Sequence, residues 1–179
     1  MTFAISKDIY RKSVDYASIK YIFIDYLHFS EQLSNNVILS YNTSAIASVA
    51  SLFGQFEDAI EYYKRAAKLK MQISDERSRA EIFISIGTLF ARDYYMNQPR
   101  DALQYYNTAL DYFLSVNDTI KIVELYKELG DTYYSFSEIE KAIKFYEENI
   151  HLTLAINDTA SFVAINERLY NLYHDLNDI

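Results

Sequence analysis

The chain has no cysteine, a single proline and only three glycines in 179 residues. Absence of cysteine excludes disulfides and thiolate metal sites, and it fits a reducing compartment. Scarce glycine and proline leave little material for the tight turns that an all-β chain needs. No run of 18 uninterrupted apolar residues is present, so no membrane-spanning helix is expected, and the opening "MTFAISKDIYRK" brings charges too early for a secretory leader. A cytoplasmic protein is the expectation. Basic residues are also in short supply towards the end. Residues 1–80 carry 10 basic and 9 acidic side chains, whereas 81–179 carry 7 and 16, within a formal net charge of −8. Phosphate backbones call for Lys and Arg massed on one surface, so nucleic acid is not an expected partner. The local group Lys64, Arg65, Lys68 and Lys70 reads as a solvated helix face.

What is abundant is apolar surface, at 50% of residues, together with the helix formers Ala, Leu and Ile and many Tyr. A sizeable core and a helical chain throughout follow. The stretch "EDAIEYYKRA" at 57–66 returns as "RDALQYYNTA" at 100–109 and "EKAIKFYEEN" at 140–149. Ala59, Ala102 and Ala142 fall in register at intervals of 43 and 40, each followed four residues later by Tyr63, Tyr106 or Tyr146. A second series precedes them, with Ile46-Ala47, Ile86-Gly87, Leu129-Gly130 and Leu169-Tyr170 at intervals of 40, 43 and 40. One three-residue insertion near "RDYYMNQPRD" accounts for both longer intervals, and Pro99 suits the first turn of the helix after it. Asn35, Asp75, Asp118 and Asp158 form a third series with helix N-cap chemistry. Each period therefore holds two helices, and the expected spans are 14–34, 37–53, 56–73, 76–93, 99–116, 118–135, 138–156 and 159–176. Ser137 and Glu140 are expected to form a capping box for the seventh.

Self-similarity at this period signals stacked helix pairs, each burying a face that its neighbour leaves open. Small residues at a helix crossing allow close approach, and a ring one turn away fills the groove beside it. The recurring Ala/Gly-to-Tyr face is thus expected to be a joint. The order aromatic-x2-Leu-Gly-x2-Tyr, then Ala-x3-Phe, met by Tyr126, Leu129, Gly130, Tyr133, Ala142 and Tyr146, resembles the tetratricopeptide repeat family. Phe83, Ile86, Gly87, Phe90, Ala102 and Tyr106 fit the preceding copy; Thr43, Ile46, Ala47, Ala50, Ala59 and Tyr63 fit more loosely. The period of about 40, against the usual 34, is similar to the long-repeat variety of Pins-type adaptors, Rap-type regulators and kinesin light chains.

The resemblance implies an all-α, right-handed superhelical solenoid of antiparallel helix pairs, with about four repeats in one domain spanning 1–179. Residues 1–39 read as a degenerate repeat, with Ala17 and Tyr21 in the Ala-x3-aromatic places. Residues 40–74, 76–116 and 118–156 read as repeats, and 159–179 as an incomplete repeat or capping helix. Phe162, Ile165, Leu169, Leu172, Tyr173 and Leu176 cover more of this last helix than one buried stripe requires. Either further repeats follow it or it docks on another chain.

No chemistry of catalysis presents itself. His28, His151 and His174 lie in different repeats without ligand spacing, Glu147 and Glu148 diverge on one helix, and no glycine-rich phosphate loop exists. No enzyme activity, metal or cofactor is expected. The resemblance implies instead a concave wall of first helices that binds a peptide or helix of another protein. By register that wall comprises Tyr41, Ser44 and Ser48; Glu81, Ile84, Thr88 and Arg92; Glu124, Lys127, Asp131 and Tyr134; then Glu167, Asn171 and His174. A Ser-rich end and an acidic end, with Glu124, Glu128 and Asp131, would suit a partner with basic and small apolar side chains. Chaperone-adaptor members grip a carboxylate with several cations; here Lys127 stands among acids, with Arg92 and Arg168 further off, so an acidic tail is not expected. The rival reading is a regulatory sensor that answers a small peptide or molecule in the same groove, as in Rap-like proteins. RNA binding by helical repeats would need a basic groove, which the second half denies.

Overall fold

The structure, a computed structural model, describes residues 16–92 and 98–177. Among them are eight α-helices and no strand: α1 (Tyr16–Gln32), α2 (Asn36–Leu52), α3 (Phe56–Gln72), α4 (Glu76–Arg92), α5 (Pro99–Ser115), α6 (Thr119–Ser135), α7 (Ile139–Ala155) and α8 (Thr159–Asn177). The first seven are 17 residues each. Joints of three residues, such as 73–75 and 136–138, link them everywhere except between Arg92 and Pro99. That longer link is where the sequence interval stretches, and Pro99 stands in the first turn of α5.

The joints show how a glycine-poor chain turns. Ser34, Ser74, Asn117, Ser137 and Asn157 adopt φ between 50° and 59°, and Gly54 takes 73°. At five joints two crossing amide bonds close the helix: Asp118 N to Phe113 O at 3.0 Å with Asn117 N to Leu114 O at 3.2 Å is one instance. The pattern is a Schellman motif, and at four of the five Ser or Asn stands in the left-handed place that glycine usually takes. One residue on, the odd-to-even joints supply a cap. Asn35 accepts from the Val37 and Ile38 amides, Asp75 from Ser78, Asp118 from Lys121 and Asp158 from Ser161. This is the third sequence series performing its expected role. The expected capping box at Ser137 and Glu140 is not formed. Ser137 is consumed as the left-handed turn residue, and the cap position falls to Glu138, which makes no side-chain cap bond.

The chain divides into two compact units, residues 1–82 and 83–179. In the first, α2 packs against both α1 and α3. Its core joins Leu27, Leu39 and Ile46 with Phe23, Tyr62 and Leu69. Ala17 and Tyr21 do not occupy the joint in α1, since both are exposed, Tyr21 by 68%. A strict 40-residue step from Ala59 and Tyr63 leads instead to Ile19 and Phe23, and Phe23 is the ring in the core. In the second unit α6 packs on α5 and α7, and α8 on α7. Ala142, Tyr146, Ile165, Leu169 and Leu172 form its terminal core, so one stripe of α8 is buried. Val163, Tyr170, Tyr173 and Leu176 of the same helix are exposed. No described helix is long and apolar enough to cross a membrane.

The two tyrosine-rich positions of each repeat have separate tasks in the second unit. Tyr105 lies between Phe83 and Phe90, stacking on Phe90 at 5.8 Å and 12°. Phe145 lies likewise between Tyr126 and Tyr133, stacking on Tyr133 at 5.5 Å and 9°. The next residue is the joint. A Cβ on Gly87 would stand 2.7 Å from Tyr106 Cε1, and one on Gly130 would stand 2.7 Å from Tyr146 Cδ1. Glycine is required here because a tyrosine ring, rather than the facing alanine, fills the space above it.

Candidate functional site

Ser48, Thr88 and Asp131 each follow the small residue of the joint by one position. One turn of geometry therefore places each beside the tyrosine that covers the joint. The Tyr63 hydroxyl and Ser48 Oγ are 3.0 Å apart, Tyr106 donates to Thr88 Oγ1 at 3.1 Å, and Tyr146 donates to Asp131 Oδ1 at 2.6 Å. Three residues expected to face a ligand are thus the polar anchors of the packing rings. Residues of the following first helix extend the bond within the second unit. Glu128 Oε2 lies 3.4 Å from the Tyr106 hydroxyl, and Arg168, one 40-residue step after Glu128, donates through Nε to Asp131 Oδ1 at 2.7 Å. Burial first, and then the Asp131 carboxylate, push the Tyr146 hydroxyl far above the usual tyrosine range. It stays protonated and donates. Asp131 in turn holds the Arg168 guanidinium above its ordinary value.

The predicted acidic end is neutralised where it was expected to attract. Glu124 pairs with Lys121 at 2.7 Å, Asp131 with Arg168, and Glu128 with Lys127 at 2.6 Å. Glu128 is moreover buried at 6% exposure, so it presents no charge to a partner. Ile84 is also withdrawn, at 8% exposure, because an apolar side chain on α4 has a core to enter. The Arg92 side chain lies outside the described residues. Ser44 and Ser48 donate back to the carbonyls of Ser40 and Ser44, and Glu81 pairs with Arg77. Tyr41 is exposed by 72%.

Four predicted residues do come together. Asp131, Tyr134, Glu167 and Asn171 line a cleft of about 490 Å³ between α6 and α8, with Arg168 and the Tyr146 hydroxyl in its wall. Tyr134, Glu167 and Asn171 are exposed at its rim, whereas the Asp131–Arg168 pair is about one-third exposed. His174, one turn beyond Asn171, is exposed and sits 6.3 Å from the Tyr170 ring, outside the cleft lining. Glu124 and Lys127 border a different cavity, of about 310 Å³. Chemically the first cleft offers a phenol, a carboxylate, an amide and a guanidinium. No group of three or more metal-ligating side chains occurs among the described residues.

Sequence reasoning missed Arg168 as a member of this site, placing it further off, and gave Tyr146 no polar task. The signal was available: Asp131 replaces Ser48 and Thr88, and Arg168 replaces Glu128, so both ends of the contact change together.

None of the curated proteins matches the sequence. Among solved structures, the crystal structure of BtubC (BKLC) from P. vanneervenii superposes with a TM-score of 0.69 over 98% of this chain and 80% of that one. Identity is 18%, so the likeness is one of fold. Residues 44–176 match the family described as "SNAP: Soluble NSF attachment protein, SNAP", a TPR-like helical repeat, and that span covers most of the chain. The chain belongs to the soluble NSF attachment protein (SNAP) family.

Proposed function

We propose that this protein is a non-enzymatic interaction module that holds a peptide or helix of another protein against its first-helix face, with the α6–α8 cleft as the principal contact. The observation that carries this reading is the Tyr146–Asp131–Arg168 contact, which fixes two adjacent first helices beneath an open cleft rimmed by exposed Tyr134, Glu167 and Asn171. A rigid polar floor with a large aromatic at the edge is the composition of a recognition surface rather than of a catalytic one. The family name speaks of attachment of NSF, which supports a protein as the partner class. Partner chemistry follows from charge. Pairing removes Glu124, Glu128 and Asp131 from the account, yet 16 acids against 7 bases over 81–179 still favour a basic segment. In this reading Tyr41, Ser44, Ser48 and Glu81 give the first unit polar contact positions of its own, Thr88 adds one in the second, and the array is of the long-repeat tetratricopeptide variety. Exposed Tyr170 and Leu176 of α8 are where a further helix or a second copy would pack, which sedimentation over a concentration range would detect.

Panning a random peptide library on the wild type and on a Tyr134→Ala/Glu167→Lys variant tests the site. Both changes are at exposed positions and should leave the melting temperature unchanged. Enriched peptides that are basic and lost on the variant support the proposal. Peptides retained equally by both would refute the cleft.

A further inference from the structure

The seam between α6 and α8 has a second opening. A cavity of about 310 Å³ is bordered by Ile120 and Val123 of α6, by Ala164 and Ile165 of α8 and by Asn149 of α7. The Asp131–Arg168 pair stands one turn beyond Lys127, which also borders this cavity, and one turn beyond Ala164. The same pair borders the first cleft. The two hollows therefore follow one another along the same two helices, on either side of one ionic tie. Their linings are offset by about six to nine residues on each helix, roughly 9–14 Å at 1.5 Å per residue.

The polar groups around the second cavity are already engaged within the protein. Lys127 is paired with Glu128 at 2.6 Å and Glu124 with Lys121 at 2.7 Å. Asp158 accepts from both the hydroxyl and the amide of Ser161. Asn149, standing where the other repeats have the fully buried Ala109 and Ala66, is itself 0% exposed and turns its amide to the Val123 carbonyl at 2.7 Å. A charged guest would have to displace one of these partners, whereas an aliphatic guest needs none of them. It would meet buried Val123 and Ile165, with Ile120 exposed at the edge by 72%. Covering that apolar wall releases the water against it.

The first cleft makes the opposite demand. Glu167 is exposed at its rim, no ion pair holds it among the described residues, and Tyr134 lines the same rim. The excess of acids over 81–179 favours a guest of the same positive sign. Resting on the cleft as the contact proposed above, we infer that the two hollows are subsites of one groove. Its occupant is a segment of another protein that sets a Lys or Arg against Glu167 and Tyr134 and an aliphatic side chain in the second cavity, nearer the N-terminal ends of α6 and α8. The offset fixes the spacing of those two side chains. They stand three or four residues apart in an extended segment at about 3.3 Å per residue, or about seven apart on one face of a helix.

Peptides enriched from a random library on the wild type serve as the probes, and their affinities are then compared among variants of the whole chain. The peptides should carry an aliphatic residue at one of these spacings from a Lys or Arg. Ile120→Gln changes an exposed position without adding charge, so it should melt within about a degree of wild type yet bind the peptides about tenfold more weakly. Replacing the aliphatic residue of the peptide by alanine should weaken binding to the wild type as much, and should weaken binding to Ile120→Gln no further. Peptides that bind Ile120→Gln as tightly as wild type but are lost on Tyr134→Ala/Glu167→Lys would overturn the two-subsite groove and leave the cleft standing. Peptides lost on Ile120→Gln and retained by Tyr134→Ala/Glu167→Lys would refute the cleft and the groove with it. Enriched peptides without an aliphatic residue at the stated spacing would remove the groove alone, and failure to enrich any peptide would remove both.

Discussion

Replacing Gly130 by alanine tests the joint directly, because two known effects oppose each other and only one depends on the fold. Alanine favours a helix interior over glycine by about 1 kcal/mol. The new Cβ would meet Tyr146 at 2.7 Å from Cδ1 and 3.0 Å from Cζ, and closer still to Cε1. Contacts of that length force the ring to move. Its freedom is small: the ring is 2% exposed, and its hydroxyl is tied to the same Asp131 oxygen that receives Arg168. Overpacking of this kind costs about 1–3 kcal/mol, and loss of part of the Tyr146–Asp131 bond adds to it. Gly130→Ala should thus be destabilised by about 1–2 kcal/mol net, read as a lower urea midpoint at unchanged slope. Gly87→Ala should suffer less, since its clearances from Tyr106, at 2.7, 2.8 and 3.2 Å, are longer than those at Gly130. The decisive control is the Tyr146→Leu background, where the same glycine-to-alanine change should lose its penalty and show the helix gain of up to about 1 kcal/mol. A Gly130→Ala protein more stable than wild type, or an identical penalty in both backgrounds, would refute the ring-on-glycine joint.

Other consequences can be checked by melting or denaturant titration. Tyr146→Phe and Tyr106→Phe should each cost about 1 kcal/mol or somewhat more, because each leaves a carboxylate, Asp131 or Glu128, without the phenol that donated to it. Asp118→Ala removes a working cap and should cost about 1 kcal/mol, whereas Glu140→Ala should stay within about 0.5 kcal/mol because no capping box exists to break. Ser137→Gly relieves a left-handed residue at φ 59° and should stabilise by up to about 1 kcal/mol; a loss would show that the serine side chain matters more than its backbone. Acid should act through Asp58 and Asp75. Lys20 and then Tyr16 hold Asp58 below its ordinary 3.8, and Lys70 with Ser78 does the same for Asp75. Folded values below the unfolded one mean that this stability is fully present above about pH 4 and is lost as pH falls through the folded values. Asp75→Asn, which keeps the cap and removes the charge, should flatten the acid limb of melting temperature against pH.

Helix number, helix order and the position of the odd joint were legible in the sequence because they rest on spacing, and spacing survives variation in side-chain detail. Asn35, Asp75, Asp118 and Asp158 were legible as caps because a side-chain acceptor three residues before a free amide works through local geometry alone. Ser137 misled for the complementary reason. A serine followed three residues on by glutamate has the composition of a capping box, but glycine is so scarce here that serine had to serve as the left-handed turn residue, and a residue cannot do both. Ala17 and Tyr21 misled because composition was allowed to outweigh register; Phe23 fills the core at the strict 40-residue step although Ile19 replaces its alanine.

The wall residues were the least legible, and the cause lies in the joint itself. A tyrosine that caps a helix crossing has a hydroxyl which, once buried, needs a partner, and the nearest position is the one after the small residue on the facing helix. Periodic polar residues on that face are consequently demanded by packing before any ligand is considered, and Ser48, Thr88 and Asp131 meet the demand. Polarity recurring in register therefore marks structure, and polarity that breaks register marks what is left for recognition. Arg168 in place of Glu128, and Asn149 in place of Ala109, are such breaks, and each borders a cavity.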